Sequence, residues 1–302
     1  MDLSEIGKNY RGYLPLTAAV LIMGTAALLT KGAQYEGVST STIGLLRLAL
    51  AFLCVGLFSI KPIFKRNYKP SLKTTLTTAL AGGFLAIHFL AWMISLEYIS
   101  ISRSTFLVTT SPIWVTLMGA TILREKVSRL QITGILVATI SSIFILGLGD
   151  DISLKEGKYF LRGELLATLG AISIAAYLII GRKARHTIGL QIYVLLTYGF
   201  ATLTLLFYHL VNSRDLIPSI SVNAWICIIC LALGPQLIGH TIMNWGVRKF
   251  HAANVSTFIL AEPVVASALA WLVFNETLGP FSIFGFSGIL LGILIVVRQG
   301  NN

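Results

Sequence analysis

The chain alternates between runs of about 20 apolar residues and short polar connections, and a helix of that length matches the thickness of a bilayer core. Such runs lie at 13–33, 41–60, 74–96, 103–123 and 130–148, then at 163–181, 190–211, 222–247, 252–274 and 279–297. The pattern predicts an all-α integral membrane protein with ten transmembrane helices. Most connections are only a few residues long, so no segment is expected to bury a soluble core outside the bilayer. The first run follows Lys8 and Arg11, exceeds a signal-peptide core in length and leads promptly into a second span, so it is expected to be retained.

Composition agrees with this reading. Of 302 residues 55% are hydrophobic and 12% charged, against roughly one quarter charged in soluble domains. The net charge of +11 comes from 23 Lys and Arg against 12 Asp and Glu. In a soluble chain this excess would suggest nucleic acid. Here the basic residues punctuate apolar runs, and no nucleic-acid partner is expected. Sixteen of them fall in the loops on the side of the N-terminus, including Lys61, Lys65, Arg66, Lys69 and Lys73, and six fall on the opposite side. Arg47 lies inside the second run. The asymmetry places both termini in the cytoplasm, with the 61–73 loop touching anionic lipid. Cys54, Cys227 and Cys230 all lie in apolar runs and read as small packing residues, not as a disulfide or metal framework.

The chain also repeats itself. His88 aligns with His240, Tyr98 with Phe250 and Ser104-Thr105-Phe106 with Ser256-Thr257-Phe258, all at a separation of 152. From there the separation becomes 151, matching Pro112 with Pro263, Glu125 with Glu276 and Gly134 with Gly285. This predicts two related units, 1–149 and 150–302, of five helices each. Because five is odd, the second unit enters the membrane in the opposite sense, giving two inverted five-helix repeats and favouring alternating access to a midplane site.

At this point a family resemblance becomes specific. Each half ends in an apolar helix with a central proline and an acidic residue just beyond it, in Leu123-Arg124-Glu125-Lys126 and Phe274-Asn275-Glu276-Thr277, followed by a Gly-containing helix. This resembles the drug/metabolite transporter superfamily, specifically its EamA-type family, over nearly the whole chain. The segments Gly234-Pro235-Gln236-Leu237-Ile238-Gly239-His240-Thr241, Asn244-Trp245 and Ala261-Glu262-Pro263-Val264 are similar to one prokaryotic branch. Met23-Gly24-Thr25 stands where many members carry Trp-Gly. The resemblance implies ten helices, cytoplasmic termini, a prokaryotic inner or plasma membrane, and movement of small metabolites, often outward, without fixing the substrate.

Polar residues inside the apolar runs are the site candidates, because an ionisable group at the bilayer centre costs at least ~2.5–3.5 kcal/mol. Glu262 reads either as a carboxylate exchanging protons or binding a substrate ammonium, or as a buried group that locks helices. His88 and His240 occupy equivalent repeat positions, with Trp92 and Asn244 four residues on, and titration near neutral pH would suit proton coupling. Gln236, His240 and Asn244 form a polar stripe at i−4, i and i+4. Pro112 and Pro263 free the carbonyls of Val108 and Ile259 and are expected to kink their helices. Arg47 reads as a snorkelling anchor, a salt-bridge partner or a binder of substrate carboxylate, and Lys31 as interfacial. Trp92, Trp114, Trp245 and Trp271 either stack on a planar or cationic substrate or pack, with Trp92 and Trp245 nearest the polar stripe. Glu125 and Glu276 read as structural. Gly288 and Gly292 form a small-xxx-small motif suited to packing within the chain or to a homodimer.

These features predict a secondary transporter, expected to be an exporter, of small organic metabolites such as amino acids, with proton coupling open. No phosphate-binding G-x-x-x-x-G-K-[ST] motif occurs. No cofactor, bound metal or catalytic residue is expected. The alternatives are a membrane-embedded enzyme using His88, His240 and Glu262, and a non-transporting sensor.

Overall fold

The computed structural model describes residues 3–65, 70–145, 158–185, 188–212, 219–275 and 281–299. Every regular element among them is helical. In chain order these are α1 (Leu3–Met23), α2 (Ala26–Tyr35), α3 (Thr40–Lys65), α4 (Leu72–Ser95), α5 (Ile101–Val108), α6 (Ser111–Met118) and α7 (Arg129–Ile145). Then follow α8 (Lys158–Ala184), α9 (Leu190–Asn212), α10 (Val222–Leu231), α11 (Thr241–Lys249), α12 (Ala252–Ile259), α13 (Glu262–Phe274) and α14 (Ser282–Gln299). A π-helical turn, Gly119–Leu123, extends α6, and a π-helical stretch, Ala232–His240, joins α10 to α11.

Consecutive helices merge into long apolar rods. Eight of these, Tyr13–Tyr35, Thr40–Phe58, Leu72–Ser95, Ile101–Leu123, Tyr159–Ala184, Leu190–Asn212, Val222–Lys249 and Ala252–Phe274, are long and apolar enough to cross a membrane. Two shorter apolar helical stretches, Arg129–Ser141 and Ile283–Arg298, correspond to the expected fifth and tenth spans. Residues 146–157 and 276–280 next to them, including Glu276, lie outside the described residues, as do Arg66 and Lys69.

The bundle is apolar on its outer faces and holds a polar cluster within an apolar core. Leu53, Leu57, Phe58, Leu76, Leu80 and Phe207 stand on its outer faces with more than half of their surface exposed. A soluble protein rarely carries so much contiguous apolar surface, whereas lipid tails accept it. Inside, Arg47, His88, Gln236, His240 and Asn244 are buried. Within the helices the backbone bonds to itself, as hydrocarbon requires, and at the breaks turn bonds take over, Thr110 N–H to the Leu107 carbonyl at 3.2 Å and Ala261 N–H to the Phe258 carbonyl at 3.0 Å. The ends are closed locally: Ser71, Ser100 and Ser221 accept the amide N–H three residues on, at 3.2, 3.3 and 3.1 Å. Arg124 and Asn275, 151 positions apart, end their helices in the left-handed region with φ of 55° and 52°.

Packing follows a regular scheme. α7 lies along α14, α3 along α9, α4 against α8 and α9, and α2 against α10, while the α5–α6 rod crosses the α12–α13 rod. The α7–α14 contact uses Gly288 and Gly292. A Cβ on Gly292 would come within 2.5 Å of the Gly134 carbonyl oxygen and 2.7 Å of Ala138 Cβ, and one on Gly288 would strike Ser141. The small-residue face is therefore filled by α7 of the same chain. Gly292→Ala is expected to lower the thermal midpoint of the detergent-purified protein, since overpacking costs about 1–3 kcal/mol. Gly83→Ala, where a Cβ meets open space, should leave it unchanged or raise it. Equal midpoints for the two variants would contradict this packing.

Candidate functional site

Two of the rods are broken near their middles, and the breaks face each other across the bundle. α5 stops at Val108 and α6 starts at Ser111, while α12 stops at Ile259 and α13 starts at Glu262. Pro112 and Pro263 are the second residues of the restarting helices. Proline is favoured there because its missing N–H has no helical acceptor to lose, and its fixed φ is already helical. Thr110 Oγ1 donates to the Leu107 carbonyl at 2.7 Å. The first spanning rod is also interrupted, at Gly24–Thr25, where Thr25 Oγ1 donates to Ile22 O at 2.7 Å. Gly24 is required by close approach: a Cβ there would meet Val265 Cβ of α13 at 2.5 Å.

These interruptions surround a cavity of about 30 Å³. By this measure one water needs ~10–15 Å³, so the cavity holds about two. Its polar lining is Arg47, His88, Trp92, Ser111, His240 and Glu262, and its apolar lining includes Met23, Phe89, Ile174 and Pro235. The restarting ends of α6 and α13 thus bring Ser111 and Glu262 to the same space, at helix starts where the helix dipole favours negative charge.

Arg47 is the centre of this arrangement. It is 1% exposed. Its Nε donates to Gln236 Oε1 at 2.9 Å, and its guanidinium carbon sits 3.8 Å from the centre of the Phe89 ring, a cation–π contact strengthened by the absence of water. Tyr198 OH donates to the Gln236 carbonyl oxygen at 3.0 Å. Arg47 Nη1, Gln236 Nε2, Trp92 Nε1, Ser111 Oγ and Glu262 Oε1 are buried and find no hydrogen-bond partner among the described residues. Unpaired buried groups of this kind cost about 1–3 kcal/mol each, more when charged. Four of the five, on Arg47, Trp92, Ser111 and Glu262, belong to residues lining the cavity, a feature of a site built to meet something polar.

The histidines form one wall. His88 Nδ1 lies 2.9 Å from the Gly170 carbonyl oxygen, which can only accept, so Nδ1 carries the proton. Its ring stacks with Trp92 at 6.3 Å and lies 6.3 Å from the His240 ring. His240 in turn meets Phe89 edge-on at 5.1 Å. Among the described residues no three His, Cys, Asp or Glu side chains converge as metal ligands.

The structure does not gather every expected residue. Asn244 is buried away from the cavity lining, donating to Tyr177 OH and, at 2.7 Å, to the His240 carbonyl. Trp245 packs edge-on against Phe250 at 6.2 Å beneath Lys249 and does not reach the cavity. Arg47 is no snorkelling anchor, because the bundle encloses it. Glu125 accepts from Arg182 Nε at 3.0 Å and lies 3.6 Å from His251. Phe89, Ser111 and Tyr198 were not singled out by sequence. The repeat held the signal for two of them: Ser111 stands 151 residues before Glu262, and Tyr198 151 after Arg47.

A lipid-compatible helical bundle enclosing a polar cavity between broken helices defines a polytopic membrane transporter. The EamA-like transporter family matches twice along the chain, at residues 10–147 and 161–298. The chain belongs to that family. The uncharacterized transporter YyaM of Bacillus subtilis is 22% identical over 95% of this chain and 93% of its own, and the uncharacterized transporter YetK of the same organism 24% identical over 97% and 88%. An uncharacterized transporter of Archaeoglobus fulgidus is 21% identical over 95% of this chain and 97% of its own. A solved crystal structure shares the fold with a TM-score of 0.75 at 16% identity, over 96% of this chain and 99% of that one.

The Arg47–Gln236 bond makes a quantitative prediction. Arg47→Met and Gln236→Leu are expected to be non-additive in unfolding free energy, with a coupling of about 0.5–3 kcal/mol. Additivity in the double variant would contradict the bond.

Proposed function

We propose that this protein is a secondary transporter that exports small polar organic metabolites, amino acids first among them, by alternating access around the Arg47–Glu262 cavity. The observation that carries the reading is the pair of opposite ionisable groups, Arg47 and Glu262, lining one cavity with an unsatisfied polar atom on each. A zwitterion supplies what both lack: a carboxylate for Arg47 Nη1 and an ammonium for Glu262. The aromatic faces of Phe89 and Trp92 complete a wall for its side chain. Glu262 is also the group proposed to exchange a proton when substrate leaves. The unpaired buried atoms supply a reason for transport over mere structure, since a helix-locking carboxyl would be expected to have its partner in place.

The proposed architecture is ten transmembrane helices in two inverted five-helix repeats, 1–149 and 150–302. It is supported by the twofold family match and by contacts that recur in pairs. α4 on α8 has its counterpart in α10 on α2, while α3–α9, α7–α14 and the crossed broken rods each pair equivalent elements. Both termini are proposed to lie in the cytoplasm of a prokaryotic inner membrane, on the strength of the Lys and Arg asymmetry and the prokaryotic relatives. A cavity that admits about two waters is too small for an organic metabolite, so binding one requires the surrounding helices to move apart, as alternating access supposes. Nothing in the described residues favours a metal-dependent enzyme.

Metabolite profiles of cells expressing equal amounts of wild type and Glu262→Gln, at two external pH values, test the proposal. Wild type is expected to build up one class of zwitterionic compounds outside the cells, and Glu262→Gln to abolish the pH-driven part. Unchanged pH dependence in the variant would remove Glu262 from the coupling, and accumulation inside would reverse the direction.

A further inference from the structure

Two cations at opposite ends of the bundle make the same contact. Lys31, near the end of α2, donates through Nζ to the carbonyl oxygen of Leu96, the residue that caps α4. Arg182, near the end of α8, donates through Nη1 to the carbonyl oxygens of Val247 and Arg248 in the last turn of α11, at 2.7 and 3.2 Å. Lys31 and Arg182 are 151 residues apart, as are Leu96 and Val247. In each case a cation from one spanning rod takes up helix C-terminal carbonyls, which have no acceptor role left inside their own helix and carry partial negative charge.

Their positions along the bundle follow from the rod Val222–Lys249. Glu36, five residues after Lys31, accepts from Ser221 Oγ at 2.6 Å and Asn223 Nδ2 at 3.2 Å, where this rod begins. These two bonds to the charged form hold the Glu36 carboxyl below the usual range. Arg182 binds where the rod ends. A helix of that length covers ~40 Å, so the two contacts lie near opposite faces with the cavity between them.

Each contact is embedded in a small closure of its own. At the Lys31 end, Gln34 Nε2 donates to the Met93 carbonyl at 3.0 Å, and Thr40 Oγ1 donates to Glu97. At the Arg182 end, the guanidinium also holds Glu125 of the loop after α6, and Gln131 donates to Asn254 at 2.6 Å. Both ends are tied while the cavity between them has room for about two waters.

We propose that Lys31–Leu96 and Arg182–Val247/Arg248 are a matched pair of latches, each sealing one face of the membrane. Opening to one side breaks one latch while the other holds. The inference rests on the alternating-access reading above and deepens it by naming the bonds that distinguish the two open states. A charge-assisted hydrogen bond to a backbone carbonyl suits this work because it is strong while dry, lets go without leaving a buried cation once water enters, and reforms without side-chain exchange.

The test reads access to the cavity and needs no substrate. In a background with Cys54, Cys227 and Cys230 replaced by Ala, Ser111→Cys places one thiol in the cavity lining. Its rate of modification by a membrane-impermeant cationic methanethiosulfonate is measured in right-side-out and inside-out vesicles. Lys31→Gln is expected to speed modification from the face that carries Lys31 by about tenfold or more, the shift expected when a hydrogen bond to a charged group is lost. Arg182→Gln is expected to do so from the opposite face only. Lys31→Arg and Arg182→Lys should return both rates towards the starting value. Lys31→Met is a second test of the first latch, and each variant is checked for a monodisperse detergent peak. Rates unchanged in both variants, or both variants opening the same face, would overturn the latches. A face-specific split without movement of any metabolite class would uphold the latches and refute the transport reading, and the converse result would do the opposite.

Discussion

A guanidinium buried inside a membrane-spanning helix is the constraint around which the rest of this structure is arranged. Arginine does not give up its charge readily, and hydrocarbon offers it no solvation. Arg47 is met by Gln236 and by the face of Phe89, with Glu262 lining the same cavity. Each of these helpers has its own support. Tyr198 reaches the backbone of Gln236, His240 packs its ring on Phe89, and the break before α13 delivers Glu262 at a helix start. Removing water from this cluster makes each contact stronger and each missing contact costlier.

The broken helices are how an apolar bundle presents polar backbone and side chains at mid-depth. A continuous helix runs past the cavity unbroken, whereas α6 and α13 each begin inside the bundle after a turn, with a proline that has no N–H to pair. Such irregular backbone is tolerated in membranes only where it is covered by protein or lines a cavity, and here it does both. The same logic places closure at the rod ends, where cations meet helix C-terminal carbonyls. The charged groups sit at the middle and the two ends, and the length between them is packed mainly by Leu, Ile, Val and Ala with close glycine contacts, among which Ser, Thr and Asn244 bond locally.

Much of this was legible in the sequence, for identifiable reasons. Span length and composition predict the rods because a bilayer imposes a single length. Pro112 and Pro263 mark the breaks because proline cannot continue a hydrogen-bond ladder. The repeat pairs His88 with His240, whose rings do face one another. What sequence could not supply was rotation and depth. For Arg47 an anchor, a salt-bridge partner and a binder of substrate carboxylate were all open, because distance from the span end does not say which way a side chain faces, and the facing surface of α3 is enclosed by the π-helical stretch and α4. Asn244 and Trp245 follow His240 on the same rod, but one turns to Tyr177 and the other to Phe250, because α11 has a different set of neighbours from the stretch before it. Phe89 is next to His88 in the chain and gained meaning only when the guanidinium was seen over its ring. The repeat separation of 151 carried more than was taken from it, since it also pairs Ser111 with Glu262, Arg47 with Tyr198 and Lys31 with Arg182.

Counterflow in liposomes containing the purified protein tests the central claim most directly. Vesicles loaded with an unlabelled α-amino acid are given a trace of the labelled compound outside, for wild type and Arg47→Gln. The account predicts saturable counterflow by wild type that competing zwitterions block, that neither the matching amine without a carboxylate nor the acid without an amine blocks, and that Arg47→Gln loses. Counterflow undiminished in Arg47→Gln, or blocked equally well by the amine alone, would contradict a site built on opposed charges.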